Sequence, residues 1–97
     1  MKGGWVYMLT NRRDGTLYTG VTSDLSRRIE QHHAKAGGFT KQYNLNKLVF
    51  VERHDSIVAA IQREKNIKHW PRAWKVALIE GTNPGWEDLV PKLTENG

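Results

Sequence analysis

Glu64 interrupts an apolar stripe. At about 100° per residue, a helix over this stretch puts Ile57, Ala60 and Ile61 on one face, with Glu64 inside it and Lys68 one turn further on. A partly buried carboxylate is costly unless a cation, a metal or a proton accompanies it. An earlier stretch repeats the pattern: Leu25, Ile29 and Ala36 share a helical face, His32 falls between them, and Arg28 sits on the flank. Upstream, Tyr7 and Tyr18 occupy two short runs of aromatic and branched residues. These residue types match one kind of chemistry. Hydrolysis of a phosphodiester needs an activated water, a positive group for the charge developing on phosphate, and a hard cation held by oxygen.

Each residue also has an ordinary structural explanation. Glu64 could pair with Lys68 at i,i+4 or with Arg28, and His32 could be a packed histidine. Arg28 could be a surface helix residue, and the tyrosines could be strand aromatics with hydroxyls at the edge. Packing alone does not require all of them to converge on one sheet face, and a shared site does.

The elements that would position them follow from turn and cap signals. Trp5 to Thr10 and Leu17 to Val21 read as strands of a β-hairpin, with Asp14-Gly15 in the turn. With an even number of loop residues, positions whose numbers sum to an odd value share a face, so Tyr7 and Tyr18 point the same way. Asp24 is a candidate N-cap for a helix running to about Lys35, stopped by Gly37-Gly38. Leu48 to Glu52 is a third strand, and Asp55-Ser56 opens a helix to about Trp70. Pro71 begins a shorter helix ending at Gly81, and the tail after Pro84 reads as mostly coil. The expected fold is α/β of the α+β kind: a small three-stranded antiparallel sheet flanked by about three helices.

Bulk properties permit this fold. A chain of 97 residues with 38% hydrophobic content suits one domain, 1–97, with its core over about 3–83 and a tail over 84–97. The absence of cysteine excludes disulfides, a CxxC redox site and a thiolate zinc site, and it suits a cytoplasmic compartment. No stretch approaches the roughly 18 apolar residues of a membrane span, and no targeting segment or membrane association is expected. Fifteen Lys and Arg against ten Asp and Glu give +5, a balance that favours a polyanionic partner.

The ordered set Tyr7, Tyr18, Gly20, Arg28, His32 and Glu64 resembles the GIY-YIG nuclease superfamily, in particular its small stand-alone bacterial single-domain members, which are UPF0213-like. Trp5-Val6-Tyr7 stands where the family has Gly-Ile-Tyr, and Tyr18-Thr19-Gly20 where it has Tyr-Ile-Gly. The replaced positions are strand residues, whereas the tyrosines and Gly20 are retained. The resemblance implies a metal-dependent endonuclease acting on DNA, or on RNA, of the kind used in DNA repair or recombination. It implies one Mg²⁺ or Mn²⁺ bound by Glu64, with Arg28 holding the scissile phosphate and Tyr7 as general base. Such a base requires a phenol poised below its usual pKa of about 10. His32 would accept the proton, Tyr18 would orient the phosphate or water, and Asn83 would support the metal side through its amide oxygen.

Basic residues at Arg12, Arg13, Arg27, Lys35, Lys41 and Lys68, and more broadly from Arg63 to Arg72, would neutralise phosphates. Such contacts carry no base-sequence information, so preference for structure is expected over preference for sequence. Phe39 and Tyr43 could stack on unpaired bases or tuck onto the core. Trp5, Trp70, Trp74 and Trp86 are expected in the core. With no second binding domain in view, substrate choice would come from distorted or branched structures or from a protein partner, the nuclease itself being a monomer or weak dimer. One alternative is a non-catalytic nucleic-acid binding module; another is a small interaction domain whose polar groups form a structural network.

Overall fold

The computed structural model describes residues 3–33 and 47–95, excepting the side chains of 31–33 and 93–95. Strands β1 (Gly4–Thr10), β2 (Leu17–Thr22) and β3 (Lys47–His54) form an antiparallel sheet in the order β2-β1-β3. Helix α1 (Leu25–His33) follows the hairpin; α2 (Ile57–Lys68), α3 (Arg72–Thr82) and α4 (Val90–Glu95) follow β3. The expected α+β architecture is present. Lys35, Lys41, Gly37-Gly38, Phe39 and Tyr43 lie outside the described residues.

Parity sets the sheet faces. Leu9 stands opposite Tyr18 and Tyr7 opposite Gly20, so both tyrosines share a face. There Tyr7 and Leu9 pack with Leu25 and Leu48, and with Ile29 of α1. The alternate β1 residues, Val6 and Met8, face the other way and join Ala60 and Ile67 of α2, Ile79 of α3 and Trp86. Both helix starts are capped as their sequences suggest: Asp24 Oδ1 accepts the Arg27 N–H at 3.2 Å, and Ser56 Oγ accepts the Val58 and Ala59 N–H groups at 3.2 and 3.4 Å. Helix α2 lies close to β1 because Gly4 has no side chain; a Cβ there would stand 2.7 Å from Ile57 Cδ1 and 2.8 Å from Ala60 Cβ.

One irregularity organises the far edge of the sheet. Met8 pairs with Phe50 and Leu9 with Leu48, so Val49 is an extra residue in β3. This bulge sends both Val49 and Phe50 into the α2–α3 core while Leu48 packs beside Tyr7. The chain after α3 then covers β3. Asn83 Nδ2 donates to the Val49 carbonyl at 3.1 Å, Leu89 N–H to the Leu48 carbonyl at 2.7 Å, and Asp88 Oδ1 accepts the Leu48 N–H at 3.2 Å. An edge that would otherwise present open backbone groups is thereby covered.

This corrects the expectation of a coil tail. The segment contains α4 and, at Trp86, a fully buried side chain whose indole N–H donates to Glu80 Oε2 at 2.7 Å. Trp86 adopts a φ of 56°, a conformation that costs a bulky residue roughly 1–3 kcal/mol and is here held by the surrounding contacts. Trp74, expected in the core, is 58% exposed and meets the edge of Trp70. Ile61, expected on the inward stripe of α2, is also exposed; the buried stripe runs through Ala60, Glu64 and Ile67. Replacing Asn83 with Ala should lower stability by about 3 kcal/mol, because two backbone carbonyls and the Glu87 N–H lose a buried partner. Chemical denaturation measures it; a loss below about 1 kcal/mol would mean the tail holds without the amide.

Candidate active site

Strand β2 is the other edge of the sheet, and the predicted residues gather along it. Tyr7 reaches it from β1. A Cβ built on Gly20 would stand 2.5 Å from both Cζ and Oη of Tyr7, so the phenol tip occupies the room that a side chain would fill. Tyr18 lies diagonally across the pair, its ring centroid 6.3 Å from that of Tyr7 and the rings tilted by 41°. The two phenols also share a hydrogen bond, and the charges of Arg28 and Glu64 both act on Tyr7. Arg28 of α1 and Glu64 of α2 thus lie within electrostatic reach of Tyr7, but the expected convergence on one sheet face is not what is found: the α2 stripe that carries Glu64 packs on the face opposite the tyrosines, with Val6 and Met8.

Arg28 is half-buried on α1 beside a small depression lined by Thr22, Ser23, Asp24 and Arg27. The loop entering α1 is fixed by Thr22, whose hydroxyl accepts the Asp24 N–H at 3.0 Å and donates to the Asp24 carbonyl at 3.2 Å. The Arg28 N–H donates to the same carbonyl at 3.1 Å. Arg28 therefore sits on the first turn of a well-anchored helix. His32 is one turn further along α1, and its side chain lies outside the described atoms.

Glu64 is buried, its side chain 10% exposed, and one oxygen meets Lys68 Nζ at 2.6 Å. The i,i+4 pairing considered from sequence is thus present. Lys68 also lines a second depression with Leu17, Tyr18, Thr19 and Lys75. Thr19 and Lys75 were not anticipated as site residues. Lys75 reaches this place only because the chain turns at Pro71 between α2 and α3, and residue spacing does not report that turn.

Tyr7 departs from expectation in its acidity. Burial foremost, then the neighbouring Tyr18, push the phenol above its ordinary pKa; Arg28 opposes this and the Glu64 charge adds to it. The protein by itself holds Tyr7 protonated, opposite to the direction a pre-formed base needs. Asn83 also differs from expectation. Its amide oxygen accepts the Glu87 N–H at 3.0 Å, and its nitrogen donates to Val49 and Glu87 carbonyls, so the side chain binds the tail to β3.

The basic residues separate into two groups. Arg12, Arg13 and Arg27 are exposed. Arg63 instead grips Glu52 through Nε at 3.0 Å and a terminal nitrogen at 3.2 Å, with its guanidinium 5.1 Å from the Trp70 ring centroid. Arg72 donates to the Gly15 carbonyl at 2.6 Å, tying α3 to the hairpin turn. These two arginines are therefore engaged in holding the fold. Among the described residues no helix is long and apolar enough to cross a membrane.

Two tyrosines on paired strands, an arginine on the following helix and a glutamate on a later one stand in the order expected from the resemblance to a nuclease family. The chain belongs to the GIY-YIG family: the model of the GIY-YIG catalytic domain matches residues 3–77. Among its relatives are a UPF0213 protein of Natronomonas pharaonis, 43% identical over 77% of this chain and 88% of the relative, and one of Syntrophus aciditrophicus, 38% identical over 82% and 93%. The solution NMR structure of a UPF0213 protein from Bacillus halodurans superposes with a TM-score of 0.58 at 30% identity, covering 91% of this chain and 94% of the other.

Proposed function

We propose that the protein is a divalent-metal-dependent endonuclease that hydrolyses phosphodiesters in DNA, or in RNA, selecting substrates by structure rather than base sequence. What supports this proposal is that Tyr18, Arg28 and Glu64 all lie within electrostatic reach of Tyr7 in a chain of the GIY-YIG family.

The donor set bears on the metal. Glu64 offers hard carboxylate oxygen, and among the described residues no group of three or more His, Cys, Asp or Glu side chains could hold an ion. One carboxylate suits Mg²⁺ or Mn²⁺, which keep most of their waters, better than it suits zinc. An ion held by Glu64 would supply Lewis-acid stabilisation of charge developing on the phosphate. Arg28 binds the scissile phosphate, Tyr18 orients Tyr7 through their hydrogen bond, and Tyr7 removes a proton from the attacking water. His32 passes that proton on. No covalent intermediate is needed. The exposed Arg12, Arg13 and Arg27 hold flanking phosphates.

Because the Tyr7 phenol lies above its ordinary pKa, little is ionised at neutral pH and the reactive fraction grows as pH rises. We expect kcat/KM to climb from pH 7 to 9 by about tenfold per pH unit, a slope that Tyr7→Phe removes along with most of the activity. A pH–rate profile decides it: a flat or falling limb would take proton removal away from Tyr7.

Cleavage of labelled single-stranded, duplex and branched DNA and matched RNA, with Mg²⁺, Mn²⁺ or EDTA, tests the function. Metal-requiring cleavage of at least one structure is expected. The Glu64–Lys68 ion pair favours the alternative, a non-catalytic nucleic-acid binding module in which that pair is structural. Salt-dependent binding without cleavage of any substrate would select it.

A further inference from the structure

We infer that Lys68 couples metal binding to phosphate binding: a divalent ion on Glu64 releases the Lys68 ammonium into the depression it shares with Lys75, where it holds a phosphate flanking the scissile one. This rests on the proposed role of Glu64 as the metal ligand.

The two partners of the ion pair are unequally held. The Glu64 side chain is 10% exposed in the buried stripe of α2, whereas that of Lys68 is 51% exposed. The carboxylate is therefore fixed and the ammonium is the group free to leave. A divalent ion competes for the same oxygen and repels the ammonium once it is bound. Lys68 has a destination, since it already lines a depression with Leu17, Tyr18, Thr19 and Lys75, a lining that contains no carboxylate. Lys75 is anchored there by donating to the Lys68 carbonyl at 3.3 Å, so release of Lys68 places two ammonium groups in one hollow beside Tyr18. Such a pair suits a nucleic-acid phosphate, which Lys meets as a point charge. Arg63 and Arg72, on the same helices, have their own partners and are not released in this way. In the metal-free protein Lys68 lowers affinity for the ion; in the loaded protein it raises affinity for the substrate.

The test uses Lys68→Met, which keeps the apolar stem and removes the charge, beside wild type, Lys75→Met and Glu64→Gln. Mn²⁺ binding alone is measured by water-proton relaxation. Binding of a fluorescent single-stranded oligonucleotide is measured by anisotropy, in EDTA and in Ca²⁺, which serves as a hard-cation substitute. Lys68→Met should tighten Mn²⁺ binding about tenfold, as expected on removing a unit charge beside a divalent ion, and should lose most of the gain in DNA affinity that Ca²⁺ gives wild type. Lys75→Met should weaken DNA binding in both conditions and leave Mn²⁺ binding near wild type. Unchanged or weaker Mn²⁺ binding in Lys68→Met overturns the inference, as does a full Ca²⁺ gain in that variant or no gain in wild type. Equal Mn²⁺ binding by wild type and Glu64→Gln overturns the assignment of Glu64 itself, and the coupling with it.

Discussion

Glu64→Gln is expected to abolish metal-dependent cleavage while leaving the fold as stable as before, or more so. The amide keeps the shape of the carboxylate but gives up the anionic oxygen a hard cation requires. If the ion contributes several kcal/mol to the transition state and each 1.36 kcal/mol is a factor of ten, the rate should fall by at least about 10³-fold. Stability should move the other way. Glu64 is a buried charge on a stripe with Ala60 and Ile67, and its partner Lys68 is half-exposed and can be solvated alone. Removing the carboxylate should therefore cost nothing or stabilise by about 1 kcal/mol. Initial rates with Mg²⁺ and thermal melts of the same preparations measure both. A variant that cuts as fast as its parent would remove Glu64 from the chemistry, and one that unfolds would make the ion pair structural.

Gly20→Ala should be nearly as damaging for a different reason. The added methyl would stand 2.5 Å from the Tyr7 hydroxyl and ring tip and 3.0 Å from Tyr18 Cε1. Tyr7 has no room to retreat, being 2% exposed and packed against Leu9, Leu25 and Leu48. Relief of the clash must move the phenol tip by something like 1 Å, enough to cost about 10²-fold in rate, and overpacking should lower stability by about 1–3 kcal/mol. The decisive comparison is the double variant. If Gly20→Ala acts through Tyr7, adding it to Tyr7→Phe should lower the residual rate little further. A fully active Gly20→Ala, or full additivity in the double variant, would show that the close approach does not serve the site.

What could be read from sequence was local. The shared face of Tyr7 and Tyr18 follows from strand alternation and an even loop; the Asp24 and Ser56 caps are short-range hydrogen bonds announced by residue type; Glu64 is conspicuous because a carboxylate breaks an apolar period. What stayed hidden depends on distant partners. Val49 looks like any strand residue, and its bulge exists only against β1. Asn83, given a site-supporting role from its place in the order of motifs, faces backbone groups of β3 and of its own tail. Trp74 has helical spacing suited to packing, yet it projects from the outer side of α3. The raised pKa of Tyr7 comes from burial, which a strand pattern suggests, together with neighbours it does not measure. Lys75 comes to line the depression beside Lys68 and Tyr18 from α3, across the turn at Pro71.

The clamp on β3 separates two boundaries that the family match would make one. The match ends at residue 77, after all the residues to which chemistry is ascribed here. Beyond that point lie Ile79 and Trp86, both fully buried, and Asn83, whose side chain makes one hydrogen bond to the Val49 bulge and two to Glu87. A chain shortened to the matched segment would keep Tyr7, Tyr18, Arg28, His32 and Glu64 and lose two side chains from the interior that supports α2. The span that defines this enzyme family and the span that must fold to display it are different lengths of the same polypeptide.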